Sequence, residues 1–136
     1  MSEKTTAQNF PRVFESEDEF IDLLRDIVGP SLRGVFRYCS DDIDILHTRP
    51  DVRSQYSPET LSQRHEQFVF ENIAKDSLEA CYALGAARCT INLFEDAMLV
   101  HFMTAPNAGF VVGIDADSDL SLLSFVRACE AWDGAA

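Results

Sequence analysis

The side chains best suited to recognition chemistry crowd into one polar stretch, HTRPDVRSQY, which contains His47, Arg49, Asp51, Arg53 and Tyr56. A guanidinium presents its N–H donors in a rigid fork. Arg49 and Arg53 can therefore grip a carboxylate or phosphate, with His47 and Tyr56 adding hydrogen bonds. The competing reading is internal: Arg49 and Asp51 form a salt bridge that fixes this loop against the long helix after it. His65 and His101 lie far from His47 in sequence, and packing accounts for each. Asp115, Asp117 and Asp119 alternate, but an EF-hand loop needs a glycine and a later glutamate that are not in place. Helix capping is the better account of these acids. The chain has no GxSxG elbow, GxGxxG or GxxxxGK phosphate loop. Gly113 suits a close helix approach to a sheet. No catalytic residue, metal site or cofactor is expected.

Charge narrows the partners. The chain carries 23 acidic and 11 basic residues, a net charge of −12. It has no basic run to neutralise phosphates, which argues against nucleic acid. Lys4 and Lys75 are its lysines, and its acids are spread along the whole length. That distribution favours adaptation to molar salt over a single acidic docking face. The longest apolar runs, such as residues 110–114, are too short to span a bilayer. Residues 1–8 lack the basic-then-apolar order of a secretory signal, so a cytoplasmic protein is expected. None of Cys39, Cys81, Cys89 and Cys129 forms a CxxC pair. All four read as small buried hydrophobes rather than zinc ligands or disulfides.

The elements that must position these residues are marked by punctuation. Residues 1–14 read as a flexible arm and 15–134 as one domain. Ser16 and Glu19 form a capping box. Phe20, Leu23 or Leu24, Ile27 and Val28 then give a helical stripe that Gly29-Pro30 ends. Strands are expected at 32–38 and 43–47, and a loop at 48–56. Ser57-Pro58 starts a long helix over 59–84 with Leu61, His65, Phe68, Ile73, Ala74, Leu78, Cys81 and Tyr82 on its apolar side. Strands follow at 88–94, 97–103 and 109–115, separated by Glu95-Asp96 and by a turn at 104–108. Asp117 or Ser118 should cap a last helix that buries Leu120, Leu123, Phe125, Val126 and Trp132. The result is an α/β (α+β) domain of order α-β-β-α-β-β-β-α. It has a five-stranded antiparallel sheet with helices on both faces.

That order, with the segment CTINLFEDAMLVHFMTAPNAGFVVGIDADSDLSLLSFVRA, resembles the roadblock/LC7 fold, a relative of longin and profilin-like domains. Asp115-Ala116-Asp117-Ser118-Asp119-Leu120 looks like its Asp-rich final turn. The segment DDIDILHTRPDV with Tyr56, Gly85, Cys89 and Phe94-Glu95-Asp96 also resembles a haloarchaeal family without assigned function. The roadblock likeness implies a non-catalytic interaction module that homodimerises by the long helix and the strand at 88–94. Phe68, Asn72, Arg88, Thr90 and Asn92 would be its dimer contacts, and a small GTPase or another signalling protein its partner. The alternative is a sensor that binds an anionic metabolite beside the 47–56 loop.

Overall fold

Charge and spacing decide where the first helix forms. In the computed structural model, which describes residues 17–135 and side chains as far as residue 130, α1 runs Glu17–Val28. Glu17, Asp18 and Glu19 fill its first turn, where carboxylates meet the positive end of the helix dipole. Phe20, Ile21, Leu24 and Val28 form its buried face. Gly29 follows at φ +68°, a conformation that costs glycine nothing, and a 3₁₀ turn (Gly29–Ser31) leads into the sheet. The expected arm at 1–14 and the Ser16 cap lie outside the described residues, as does the side chain of Trp132.

The sheet is antiparallel throughout, in the order β2-β1-β5-β4-β3. Its strands are β1 (Leu32–Tyr38), β2 (Ile43–Thr48), β3 (Cys89–Leu93), β4 (Ala97–Ala105) and β5 (Ala108–Asp115). A short helix α2 (Pro50–Arg53), the long α3 (Pro58–Tyr82) and the last helix α4 (Leu122–Ala135) complete the chain. The expected element order and sheet are those observed, with α2 added. One face packs Val35, Val100, Phe110 and Val112 against Phe20 and Leu24 of α1 and Phe125 and Cys129 of α4. The other packs Phe36, Tyr38 and Val111 against Phe68 of α3. Central β5 is buried from Ala108 to Ile114, as a strand covered on both faces must be.

Several local expectations need correction. Residues 50–53 are helical, because Pro50 occupies the first helical position, where its missing N–H costs nothing. Strands β4 and β5 extend to Ala105 and Ala108. Asn107 at φ +60° closes the turn between them more tightly than expected. α4 starts at Leu122, with Phe125 N–H bonded to Ser121 O, so neither Asp117 nor Ser118 caps it. In that region Leu123 is exposed and Cys129 is buried. Gly109 is under steric demand and Gly113 is not. A Cβ on Gly109 would lie 2.2 Å from Phe102 O, whereas one on Gly113 would meet only ordinary contacts.

The largest correction concerns α3. The apolar stripe expected on it is buried only in part: Phe68 lies in the core, whereas Ile73, Leu78, Cys81 and Tyr82 are exposed. Twenty-five residues of helix span about 38 Å, whereas five strands side by side span only about 20 Å. The helix therefore outruns its sheet. It ends with Ala83 in the left-handed position (φ 53°) and its N–H on Glu79 O, two residues before the expected stop at Gly85.

Candidate functional site

The expected recognition loop is built around a saturated arginine. Arg49 Nε and Nη2 donate to Asp51 at 2.6 and 3.1 Å. Nη1 and Nη2 donate to Asp115 at 2.7 and 3.1 Å, and Nη1 also reaches Pro30 O at 2.9 Å. All five guanidinium N–H donors are thereby used. Arg33 adds a bond to Asp115 at 3.0 Å. Arg49, before the remaining effects, holds the carboxyls of Asp115 and Asp51 below their ordinary range, and both carboxylates raise the pKa of Arg49 in return. The Arg49–Asp51 bridge thus exists, but it fastens the loop to the end of β5 and the turn after α1, not to α3. Asp115 serves this clamp rather than a helix cap.

The remaining loop residues separate. Tyr56 stacks edge-on against Phe36 at 5.0 Å, with the Arg64 guanidinium 5.3 Å from its ring centre. Val52 is 1% exposed and plugs α2 into the fold. Arg53 is exposed, and His47 lies half-buried on β2, with Arg25 Nη2 3.4 Å from its Nδ1. Burial first, then the positive fields of Arg25 and Arg53, depress the His47 pKa. An open cleft of about 550 Å³ lies beside the loop, lined by Asp51, Glu95, Asp96, Asp115 and Asp117 against Arg33. Its electrostatic character is that of a cation site more than an anion site. Among the described residues, no group of three or more His, Cys, Asp or Glu could hold a metal ion.

A second cluster has no local signature in the sequence. Glu71 Oε1 lies 2.7 Å from His101 Nδ1, and His101 Nε2 meets the Tyr38 hydroxyl. A carboxylate can only accept, so Nδ1–H donates and, in the neutral ring, Nε2 accepts the Tyr38 proton. Asn72 Nδ2 then donates to the Tyr38 oxygen at 2.8 Å and to the carbonyls of Ala105 and Ala108 at 3.2 and 3.0 Å. Its Oδ1 accepts from Asn107 N–H. Asn92 Nδ2 closes the array on Glu71 Oε2 at 3.0 Å. The hydrogen bond from His101 is the largest cause that lowers the Glu71 pKa, whereas burial raises that of Tyr38. The order carboxylate–imidazole–hydroxyl resembles a proton relay. The hydroxyl, however, belongs to a tyrosine only 1% exposed, away from the cleft. The array clasps α3 to β1, β3, β4 and β5.

The expected dimer residues divide in the same way. Phe68 and Asn72 are buried inside the chain by the α3–sheet core and by this array. Thr90 and Asn92 are half-buried on edge strand β3, and Arg88 pairs with Glu130 at 3.3 Å. The exposed neighbours Phe70, Ile73, Ile91, Leu93 and Phe94 are apolar. Of the histidines, His65 Nε2 donates to Cys39 O at 2.7 Å. All four cysteines are free, but Cys81 is exposed rather than packed. Burial pushes the Cys89 thiol up to about 11 and that of Cys129 up to about 12.

Among the described residues, no helix is long and apolar enough to cross a membrane. No curated protein matches the chain. A family described as a domain of unknown function, DUF7522, matches residues 18–132, the stretch that holds the whole sheet and all its helices but for a few terminal residues, and the chain belongs to that family.

Proposed function

We propose that this chain is a non-catalytic protein–protein interaction module of the cytoplasm that forms a homodimer through β3 and the adjoining face of α3. One observation carries the reading. In a chain of net charge −12, the edge strand β3 (Cys89–Leu93) has no charged residue. It adjoins exposed Phe94 and, across the Glu71–Asn92 bond, exposed Phe70 on α3. Edge strands that stay single usually carry lysine, proline or a bulge as a guard, and β3 carries none of these.

The occupant is a second copy. Paired antiparallel with itself about Ile91, the strand sets Cys89 opposite the partner's Leu93 and Thr90 opposite the partner's Asn92. Apolar then meets apolar on one face and polar meets polar on the other, the self-complementarity that a two-fold interface requires. The likeness to roadblock/LC7 domains supports this arrangement, with a small GTPase or another signalling protein as the further partner class. The sensor reading has less support, since Arg49 is saturated and the cleft beside it is lined mainly by carboxylates.

Absolute mass by light scattering in molar potassium chloride, over a dilution series, tests the proposal. Twice the chain mass is expected, and Ile91→Asp should return the monomer with little loss of thermal stability, because Ile91 is 42% exposed. A monomer at every concentration overturns it.

A further inference from the structure

The sheet has a second open edge. Strand β2 (Ile43–Thr48) lies at the end opposite β3, and among the described residues no backbone group bonds to its outer side. All of its residues are half-buried, with α1 leaning on it from one face and α3 from the other. An edge whose N–H and C=O row is unpaired invites another strand. The chain supplies a candidate at that place. One guanidinium, that of Arg37 on β1, binds both Glu17 at the start of α1 and Asp44 on β2. The segment before Glu17 therefore enters the fold beside the start of β2. It contains Phe10-Pro11-Arg12-Val13-Phe14, in which phenylalanine and valine are residues that strands favour.

We propose that residues 10–14 add to the outer edge of β2 as a sixth, antiparallel strand. Length and direction both fit. Extended, the segment covers about 17 Å, close to the span of β2, and two further residues bridge to Glu17. Because Glu17 stands at the start of β2, a strand leading up to it runs against β2. Such a strand is parallel to β1 and reaches it through α1. In the same way β2 is parallel to β3 and reaches it through α3, but with opposite strand direction and on the opposite face. Two reversals leave the hand unchanged, so the two crossovers agree in hand, as crossovers in a sheet do. Pro11 then fixes which groups bond. It has no N–H, so it faces outward on the new edge, which turns the backbone of Val13 outward and those of Arg12 and Phe14 toward β2. A tethered segment also outcompetes a second copy for this edge, since its pairing is intramolecular.

Amide exchange followed by NMR on the full chain, in molar potassium chloride, tests the pairing. Arg12 and Phe14 should exchange at least about tenfold more slowly than in an unstructured peptide, and Val13 should not. Arg12→Pro removes an inward donor, so it should abolish protection at Phe14 and hasten exchange along the outer side of β2. Val13→Pro removes only an outward donor and should leave both in place. The other four strands report in each variant that the fold is intact. Unprotected amides throughout 10–14 overturn the proposal, and so does equal protection at Val13, the mark of a helix. Protection of the β2 edge that fades on dilution while 10–14 stay open assigns the edge to a second copy and overturns it too. Because β3 is the far edge, none of these results touches the dimer proposed above.

Discussion

At the scale of single residues, the titratable groups divide stability between two pH ranges. His47 has a folded pKa below its ordinary value of 6.5, so the unfolded chain takes up that proton first. Its contribution is complete above 6.5 and declines as pH falls below it. Glu71 and Asp115, depressed from 4.5 and 3.8, contribute fully above those values and lose their contribution as pH falls further. Chemical denaturation between pH 4 and 8 should therefore show a shallow loss of under about 1 kcal/mol below pH 6.5 and a steeper one below 4.5. His47→Gln should remove the first and leave the second; a flat profile down to pH 5 in the parent chain would contradict the account of His47. Little of this chemistry was legible in the sequence. The loop offered Arg49, Asp51 and Arg53 as a set, yet the fold spends Arg49 on Asp51 and Asp115 and leaves Arg53 exposed. Glu71, Asn72, Tyr38 and His101 meet only because α3 crosses the sheet, and no local spacing announces contacts 30 or more residues apart.

At the scale of elements, the sequence was far more readable, because starts and stops are local events. Ser57 is the clearest case: its side chain accepts from Thr60 N–H at 3.1 Å, with Pro58 at the first helical position. Ser57→Ala should cost about 1 kcal/mol in denaturant unfolding, the usual loss for removing such a cap. Gly29 and the alternation of β3 were equally plain. Expectation failed where a boundary depends on tertiary support. Pro50 reads as a breaker until its position at the start of α2 is known, and Ser121 could be chosen over Asp117 only once the turn after β5 was in view. The stripe on α3 misled for a different reason. Helical periodicity shows which side of a helix is apolar, but not how far a neighbouring sheet extends beneath it. The exposed Ile73, Leu78 and Tyr82 are what that mismatch leaves behind.

At the scale of the whole molecule, a net charge of −12 on 136 residues opposes compaction in dilute buffer. Salt with a Debye length of about 3 Å at 1 M screens that repulsion without dissolving the partly buried pairs around Asp115. Thermal unfolding followed across potassium chloride concentrations should show stability that climbs steadily into the molar range; full stability at low salt would detach the acidity from salt tolerance. One bond set also dictates the order in which the molecule can assemble. Asn72 grips Ala105 and Ala108 on either side of a turn and takes the N–H of Asn107 between them. An amide shaped to hold a closed hairpin has nothing to bind while that hairpin is open, and each buried polar group left waiting costs about 1–3 kcal/mol. Strands β4 and β5 must therefore meet first, as neighbours in sequence can within microseconds, and α3 settles onto a finished template. Of these two events the docking of the long helix is the second, and by the same logic it is undone before the hairpin opens.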